Sequence, residues 1–200
     1  SRAQIAATVG LTLVVAWLSI DPVANLLSEE QRMNTSFDRL HLVNTYGAFG
    51  SVGEERHEVV LQGTADLEPT ESSEWREYAF KCKPGDPNAR PCLITPYHMR
   101  LDWLMWFAAL SSHERHPWVV HLIWKLLHDD AGVLGLMGPS PFPHGPPRWI
   151  RARRYRYEFT ALGDGEAAWW RREDLGPYLP PLSVEHEALR RFVQERGWIP

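Results

Sequence analysis

The sequence has little net charge, few cysteines and no internal repeat. Its 200 residues carry a formal net charge of -4 with a pI near 6.1. Domains that bind nucleic acid usually show a strong basic balance, so we expect no nucleic-acid partner. The length is enough for one domain, and a hydrophobic content of 44% argues against intrinsic disorder. A folded domain is therefore expected.

Motifs for phosphate binding and for a nucleophilic serine are also missing. Gly47, Gly50 and Gly53 recur every third residue, but they match neither G-x-x-x-x-G-K-[ST] nor G-x-G-x-x-G, and no long helix is predicted after them. Ser51 is not in a G-x-S-x-G motif, because Phe49 occupies the first glycine position. The glycines therefore predict a tight turn between strands.

The nine histidines of the sequence do not form a metal-binding motif. His98 and Asp102 are four residues apart, which would place them on one helix face, yet a zinc site needs three or four ligands. Neither H-E-x-x-H nor a comparable cluster is present. Arg100 and Asp102 are interpreted as ion-paired residues at a helix start, where an acid suits the positive end of the helix dipole. We expect no catalytic residue, no cofactor and no metal.

One long apolar run lies near the beginning of the sequence. Ala3 to Ile20 is uncharged and has about the minimum length of a helix that crosses a bilayer, so residues 1–21 are interpreted as a transmembrane helix. A buried core helix is the alternative. Asp21-Pro22 is expected to break the segment, and residues 22–39 to form a membrane-proximal linker. Because the chain begins at Ser1 without an initiator Met, we expect it to be a piece of a longer protein.

Three features bear on the cellular compartment. Arg2 precedes the apolar run and acidic residues follow it, so the positive-inside tendency places the rest of the chain on the non-cytoplasmic side. Cys82 and Cys92 flank the turn-forming stretch KPGDPNARP, which would allow a disulfide, a bond that persists in oxidising compartments. Two free buried thiols are the alternative. Asn34-Thr35-Ser36 matches the N-glycosylation pattern, so Asn34 is a candidate glycosylation site.

Four segments rich in β-branched and aromatic residues are predicted strands of one mostly antiparallel sheet. In the third segment, Tyr78, Phe80 and Cys82 alternate with Glu77 and Lys81, which is typical of a sheet covered on one side. The segments are Leu40 to Tyr46, His57 to Thr64, Trp75 to Lys81 and Trp149 to Thr160.

Helices are predicted to cover this sheet, which gives an α+β fold preceded by one transmembrane helix. Trp103 and Trp106 belong to a pattern of helical spacing in the first helix. The second helix is apolar almost all round and too short to cross a bilayer, so it is interpreted as buried or interfacial. The helices are Arg100 to Leu110, Pro117 to His128 and Val184 to Glu195.

The ends of the third helix and the segment before the last predicted strand have their own signals. Ser183 is predicted as the N-cap, with His186 at the capping-box position, and Gly197 as the residue that stops the helix. Residues 138–147 include five prolines, which lack the N–H group and fix the backbone. They are predicted to form an extended connector.

The predicted strand at Arg148 to Phe159 is both basic and aromatic. Its composition would allow contacts with nucleic-acid bases and phosphates or with acidic lipid headgroups. Because the chain as a whole is acidic, the favoured interpretation is a solvated sheet face whose arginines pack along their stems.

Five blocks in the same order resemble the lipase maturation factor family, from about Met33 to Trp198. The most recognisable block contains both cysteines, the PGDP turn and the RLDWLMWFAAL helix. The blocks are HLVNTYGAFGSVGEERHEVVLQGT (His41 to Thr64), FKCKPGDPNARPCLITPYHMRLDWLMWFAAL (Phe80 to Leu110), PPRWIRARRYRYEF (Pro146 to Phe159), WWRREDLGPYLPPLS (Trp169 to Ser183) and RGW (Arg196 to Trp198).

The resemblance implies a multi-pass protein of the endoplasmic reticulum membrane whose lumenal C-terminal domain, here residues 40–200, helps newly made secreted lipases to fold and assemble into active dimers. It implies no catalytic residues, immature lipases as clients, and other folding factors of the endoplasmic reticulum as further partners. The paired cysteines fit the paralogue group concerned with lipoprotein and hepatic lipases. In a bacterial relative the location would be the cytoplasmic membrane, with the domain extracytoplasmic.

Three hypotheses follow for the function. The leading one is a maturation factor that binds clients, in which Arg100, Asp102, Trp103 and Trp106 form a client-facing or structural motif. The second is a membrane-bound enzyme that uses His98, Arg100 and Asp102 on a lipid-linked substrate. The third is a structural lumenal cap that stabilises the membrane region of the parent protein.

Overall fold

The computed structural model of the chain describes residues 1–28, 30–46, 55–93, 97–161, 165 and 167–199. The chain divides into two compact units, Ser1–Glu54 and Glu55–Pro200. The predicted glycine turn at residues 47–53 lies outside the described residues. The predicted boundaries at residues 21 and 40 stay predictions.

The first unit begins with a helix that is interrupted only at Ser19. Helix α1 (Arg2–Leu18) and helix α2 (Ile20–Leu26) together span 25 residues, and none of the apolar stretch is buried within the structure. At 1.5 Å per residue this is about 38 Å, compared with a hydrocarbon core of about 30 Å. The predicted break at Asp21-Pro22 is wrong, because Pro22 lies in the first turn of α2, where its missing N–H costs no bond within that helix.

A small hairpin follows in the same unit. Strands β1 (Thr35–Ser36) and β2 (Asn44–Thr45) pair in antiparallel fashion. The predicted strand at residues 40–46 is therefore shortened to β2. Its first half is a turn instead, in which His41 has a φ of 54° and Asp38 accepts hydrogen bonds from the backbone N–H groups that follow it.

The second unit is built on a four-stranded antiparallel sheet of β3 (Arg56–Thr64), β4 (Arg76–Glu77), β5 (Trp149–Phe159) and β6 (Trp170–Leu182), in the order β4-β3-β5-β6. Two predictions need correction. The predicted strand at residues 75–81 is paired along its length only at β4. The strand β6 was not predicted, because its three prolines disfavour a central strand, but an edge strand tolerates them.

Helices cover one face of this sheet, which confirms the α+β fold class. The core between them contains Val59, Leu61, Ile150 and Ala152 of the sheet, and α4 contributes seven buried residues, so it is a core helix. The helices are α3 (Arg100–Ala109), α4 (Trp118–Leu127), α5 (Ala131–Leu134) and α6 (Glu187–Glu195), with a 3-10 turn at His113–Arg115.

The last helix starts later than predicted and ends as predicted. His186 is the N-cap of α6, without a side-chain hydrogen bond, and Ser183 is buried beside the end of β6. The predicted cap at Ser183 is wrong, because a turn from Ser183 to His186 precedes the helix. Gly197 has a φ of 64° and donates its N–H to the Gln194 carbonyl, while the Trp198 N–H reaches the Val193 carbonyl. These two bonds form a Schellman motif, the helix stop expected at this glycine.

The proline-rich connector is neither helix nor strand, as predicted, and it packs closely on the sheet. A Cβ atom at Gly63 would lie 2.7 Å from the ring of Phe142 and 3.1 Å from Pro147. Only a residue without a side chain therefore lets the connector approach β3 so closely.

The opposite face of the sheet is covered as well, in contrast to the one-sided sheet that was predicted. Val60, Tyr155, Tyr157 and Trp170 form a second apolar cluster on this face. Glu58 lies among them and is fully buried. The covering chain runs from residue 71 to residue 92 and contains both cysteines. Glu71 and Trp75 contact this face before the chain enters the sheet as β4, and Lys83 and Gly85 contact it afterwards.

Candidate functional site

The covering chain ends in a loop that is closed by a disulfide between Cys82 and Cys92. The two Cα atoms lie 5.4 Å apart, and the cysteines are ten positions apart in the sequence. Asp102 in the first turn of α3 holds the start of this loop. Its Oδ2 atom accepts the backbone N–H of Cys82 at 2.6 Å and that of Lys83 at 2.8 Å. We refer to residues 82–92 as the disulfide loop.

The predicted ion pair between Arg100 and Asp102 is wrong. Asp102 is buried, and its carboxylate serves the backbone of the disulfide loop. Arg100 is exposed, and no ion pair joins it to a carboxylate in the described part of the chain. A carboxylate buried against two backbone N–H groups has a structural task, so a role for Asp102 as an acid or base has no support in this geometry.

Beneath the loop lies a buried ion pair. The Nζ atom of Lys83 is 3.0 Å from Oε2 of Glu58, and both side chains are almost completely inaccessible to solvent. The Nε atom of Arg56 lies 2.8 Å from the other oxygen of Glu58. Buried charges are tolerated only when they are paired, so the loop and β3 depend on each other at this point.

A second polar contact joins the loop to β5 and β6. The Tyr157 hydroxyl donates to the carbonyl of Gly85 at 2.7 Å. Arg172 binds both carboxylate oxygens of Glu77 at 2.9 Å and also reaches the Tyr157 hydroxyl at 3.3 Å. Burial raises the pKa of Tyr157 to about 12, although the hydrogen bond from Arg172 acts in the opposite direction. Tyr157 therefore stays a neutral donor over the whole physiological pH range.

A cavity of about 510 Å³ opens between the disulfide loop and the end of the sheet. Its walls are mainly apolar and include Phe80, Pro84, Phe159 and Trp170. The rings of Phe159 and Trp170 are stacked with their centroids 3.9 Å apart. Arg90 lies at the same cavity, on the returning part of the loop. The arrangement suits the binding of an apolar group beside a charge.

The aromatic residues of α3 form a separate cluster. Trp103, Trp106 and Phe107 have ring centroids 5.2 to 5.5 Å apart, and the ring of His98 lies 5.1 Å from that of Trp103. All three helix residues are half-buried, whereas the helix face that is buried consists of Asp102, Met105, Ala108 and Ala109. The predicted client-facing or structural motif thus combines a carboxylate, Asp102, that holds the disulfide loop with two tryptophans that lie on a different face of α3.

Three arginines of β5, Arg151, Arg153 and Arg156, bind polar side chains within the domain. Arg151 binds Gln62 and Glu71 and lies 4.1 Å from the Trp75 ring, which fastens the covering chain to the sheet. Arg153 binds Asp174 at 2.6 Å. Burial acts to raise the pKa of Asp174, but the hydrogen bonds from Arg153 and from the Gly176 N–H, together with the positive charges of Arg153 and Arg151, lower this pKa below its ordinary value. The predicted solvated face is therefore wrong, because Arg151 and Tyr157 on this face are buried.

The sequence also contains candidate residues for metal binding and for glycosylation. Among the described residues, no group of three or more His, Cys, Asp or Glu side chains is arranged to hold a metal ion. Asn34 is exposed just before β1 and has a φ of 55°. Its glycosylation stays a prediction.

Sequence reasoning missed the residues beneath the loop. Glu58 carried one signal, since it is a carboxylate that directly precedes the apolar run Val59 to Leu61 of its strand. No such signal marks Lys83, Tyr157 or Arg172 in the sequence, because their partners are distant along the chain. Their pairing depends on how the covering chain lies on the sheet.

Comparisons with known proteins agree in pointing to one family. Residues 42–180 match the family model of the lipase maturation factor C-terminal domain. Lipase maturation factor 1 of Homo sapiens is 54% identical over 198 residues, which cover 96% of this chain and 35% of the relative. For lipase maturation factor 1 of Mus musculus the identity is 52% over 197 residues, covering 95% and 34%.

A second group of relatives is less similar. Lipase maturation factor 2 of Xenopus laevis is 35% identical over 191 residues, which cover 90% of this chain and 26% of the relative. The chain thus spans about a third or less of the length of these curated relatives. No solved structure matches the chain.

Proposed function

The chain belongs to the lipase maturation factor family, and from this membership we propose that it is the client-binding C-terminal part of a membrane protein that helps newly made secreted lipases to fold. The observation that carries the proposal is its 54% identity to a protein named lipase maturation factor 1 over 96% of the chain. We further propose that the clients are lipases of the lipoprotein lipase type and that they assemble into active dimers with its help.

Two structural features support a location in the membrane of the endoplasmic reticulum, with the domain in the lumen. The helix Arg2–Leu26 is long and apolar enough to cross a bilayer. The disulfide between Cys82 and Cys92 is a bond of oxidising compartments, and the lumen of the endoplasmic reticulum is one. We propose that this helix anchors the domain and that other folding factors of the lumen act beside it.

The proposed activity is binding rather than covalent chemistry. The favoured test is co-precipitation of newly synthesised lipase with the full-length parent protein, combined with the lipase activity that cells secrete. Wild type is expected to capture inactive lipase and to raise the secreted activity. If lipase is never captured and its activity does not depend on the protein, the maturation role fails.

A matched variant separates this proposal from the enzyme hypothesis. His98 and Arg100 are exposed, so the pair His98→Ala and Arg100→Ala is expected to leave the fold intact. Asp102 is unsuitable for this purpose, because its loss would release the disulfide loop. The double variant should capture lipase and raise secreted activity as wild type does. A folded double variant that still binds lipase but yields no secreted activity would favour the enzyme.

The lumenal orientation has a separate test at Asn34. If the residue enters the lumen and is glycosylated, the protein should lose apparent mass on endoglycosidase treatment, and an Asn34→Gln variant should already migrate at the lower mass. A Thr35→Ala variant is the matched control, because it keeps the acceptor pattern. Proteases added to the cytosolic side should leave a lumenal domain intact. Digestion of the domain by these proteases would contradict the orientation.

A further inference from the structure

We propose that the cavity under the disulfide loop binds an extended segment of the client through a large apolar side chain that has a carboxylate next to it. This deepens the proposed function and rests on it, since the segment would belong to an incompletely folded lipase. Such segments expose apolar side chains that the native protein buries.

The walls of the cavity suit an apolar side chain. Phe80, Phe159 and Trp170 present aromatic surfaces, and Pro84 and Pro91 present rigid apolar ones. The volume of about 510 Å³ is within the range of ligand-binding sites, roughly 300–1,000 Å³, which are mostly apolar with a few polar groups. One large side chain and its neighbours would fill it.

The cavity is formed before any client arrives. The loop that makes one wall is closed by the disulfide, held by Asp102 and bound through the Gly85 carbonyl to Tyr157. The opposite wall is ordered by the stacking of Phe159 on Trp170. A preformed site loses little conformational entropy on binding, which favours even short segments.

The balance of charge at the rim is positive. Glu77 and the buried Glu58 are already bound by cations. Of the charged lining residues outside these ion pairs, Asp86 is anionic, whereas Lys81 and Arg90 are cationic. Arg90 is exposed, and its guanidinium lies over the Trp169 ring at 5.9 Å without a carboxylate at ion-pair distance among the described side chains. A carboxylate beside the apolar side chain of the client would complement Arg90.

The open side of the cavity favours a peptide over a lipid. Phe159 in the cavity wall is 64% exposed, so the cavity is open to solvent on this side and a long acyl chain would keep part of its length in water. Each buried CH2 group contributes about 0.8 kcal/mol, so the exposed part would add nothing to binding. A peptide enters with one side chain and leaves its backbone at the surface.

The first test uses fluorescein-labelled probe peptides and the disulfide-bonded chain in detergent micelles. We expect GSEFGS to bind about two- to fivefold more tightly than GSKFGS, the range of an exposed ion pair, and GSESGS not to bind measurably. Arg90→Gln should remove the preference for glutamate and leave the preference for phenylalanine. Binding of sodium oleate without binding of any peptide would overturn the proposal in favour of a lipid.

A cavity-filling variant gives the second test. Ala89 lines the cavity and is exposed, so Ala89→Trp should cover the mouth and weaken GSEFGS binding at least tenfold. Asn88→Trp is the matched control, since Asn88 is exposed on the same loop but does not line the cavity. Disulfide formation and the melting temperature verify that both variants fold. Equal binding by both variants would overturn the proposal.

Co-precipitation of lipase with the full-length parent separates the two proposals. Capture by wild type and Asn88→Trp, with at least a tenfold loss in Ala89→Trp, supports both. Full capture by Ala89→Trp refutes the cavity as the client site and leaves the proposed function standing. Binding of GSEFGS without capture of lipase by wild type supports the cavity as a peptide site and refutes the maturation role.

Discussion

Replacing Asp102 by alanine is expected to destabilise the domain severely. The side chain is buried and accepts two backbone hydrogen bonds, at 2.6 Å from Cys82 and 2.8 Å from Lys83. Hydrogen bonds to a charged group contribute about 1.5–3 kcal/mol each, and removing one partner of a buried charged contact typically costs about 3–5 kcal/mol, so Asp102→Ala should lower the free energy of unfolding by about 3–5 kcal/mol. Asp102→Asn keeps an oxygen acceptor but loses the charge, and we expect about half of that effect.

Urea denaturation of the solubilised chain measures the change directly. For a chain of this size, 1 kcal/mol shifts the melting temperature by about 2–4 °C, so Asp102→Ala should melt about 6–20 °C below wild type. Arg100→Ala is the matched control on the same helix turn. Because Arg100 is exposed, its loss should change the free energy of unfolding by no more than about 0.5 kcal/mol.

Two results would refute this reasoning. A loss of less than about 1 kcal/mol in Asp102→Ala would mean that the two hydrogen bonds are replaced by water at little cost. An equal loss in Arg100→Ala would mean that the helix start, rather than the loop contact, is the sensitive feature. A stable Asp102→Ala protein without function would instead return Asp102 to the list of catalytic candidates.

Three further changes should be measurable by the same denaturation. The double variant Cys82→Ser, Cys92→Ser opens a short loop and should lower the free energy of unfolding by about 3 kcal/mol, whereas a reducing agent should not change the stability of that variant. Gly197→Ala places a side chain at a φ of 64° and should cost about 1 kcal/mol, and no loss would argue against the Schellman motif. Burial, aided by Lys125, lowers the pKa of His121 below its ordinary 6.5, so the unfolded chain binds a proton more readily. The free energy of unfolding should therefore fall as the pH drops from 7 to 5, and this slope should be smaller in His121→Phe; an equal slope would exclude His121 as its cause.

The candidate site was only partly predictable. The two cysteines were identified because the stretch between them favours turns, and Asp102 was singled out because it begins a helix with an obvious periodic pattern. Its partner was misjudged, since the backbone N–H groups of Cys82 and Lys83 are about twenty residues away and carry no mark in the sequence. The cavity was not predicted, because its walls come from the loop and from all four strands of the sheet, which are brought together only by folding.

Local sequence patterns determined α3, α4, β3 and β5, because each buries side chains at the regular spacing of a helix or has the composition of a strand. They also determined the apolar N-terminal helix. The tertiary structure decided the position of β6, whose prolines are acceptable only at an edge of the sheet. It also decided the buried pairing of Glu58 with Lys83, because a charge is stable in the interior only where folding brings an opposite charge against it.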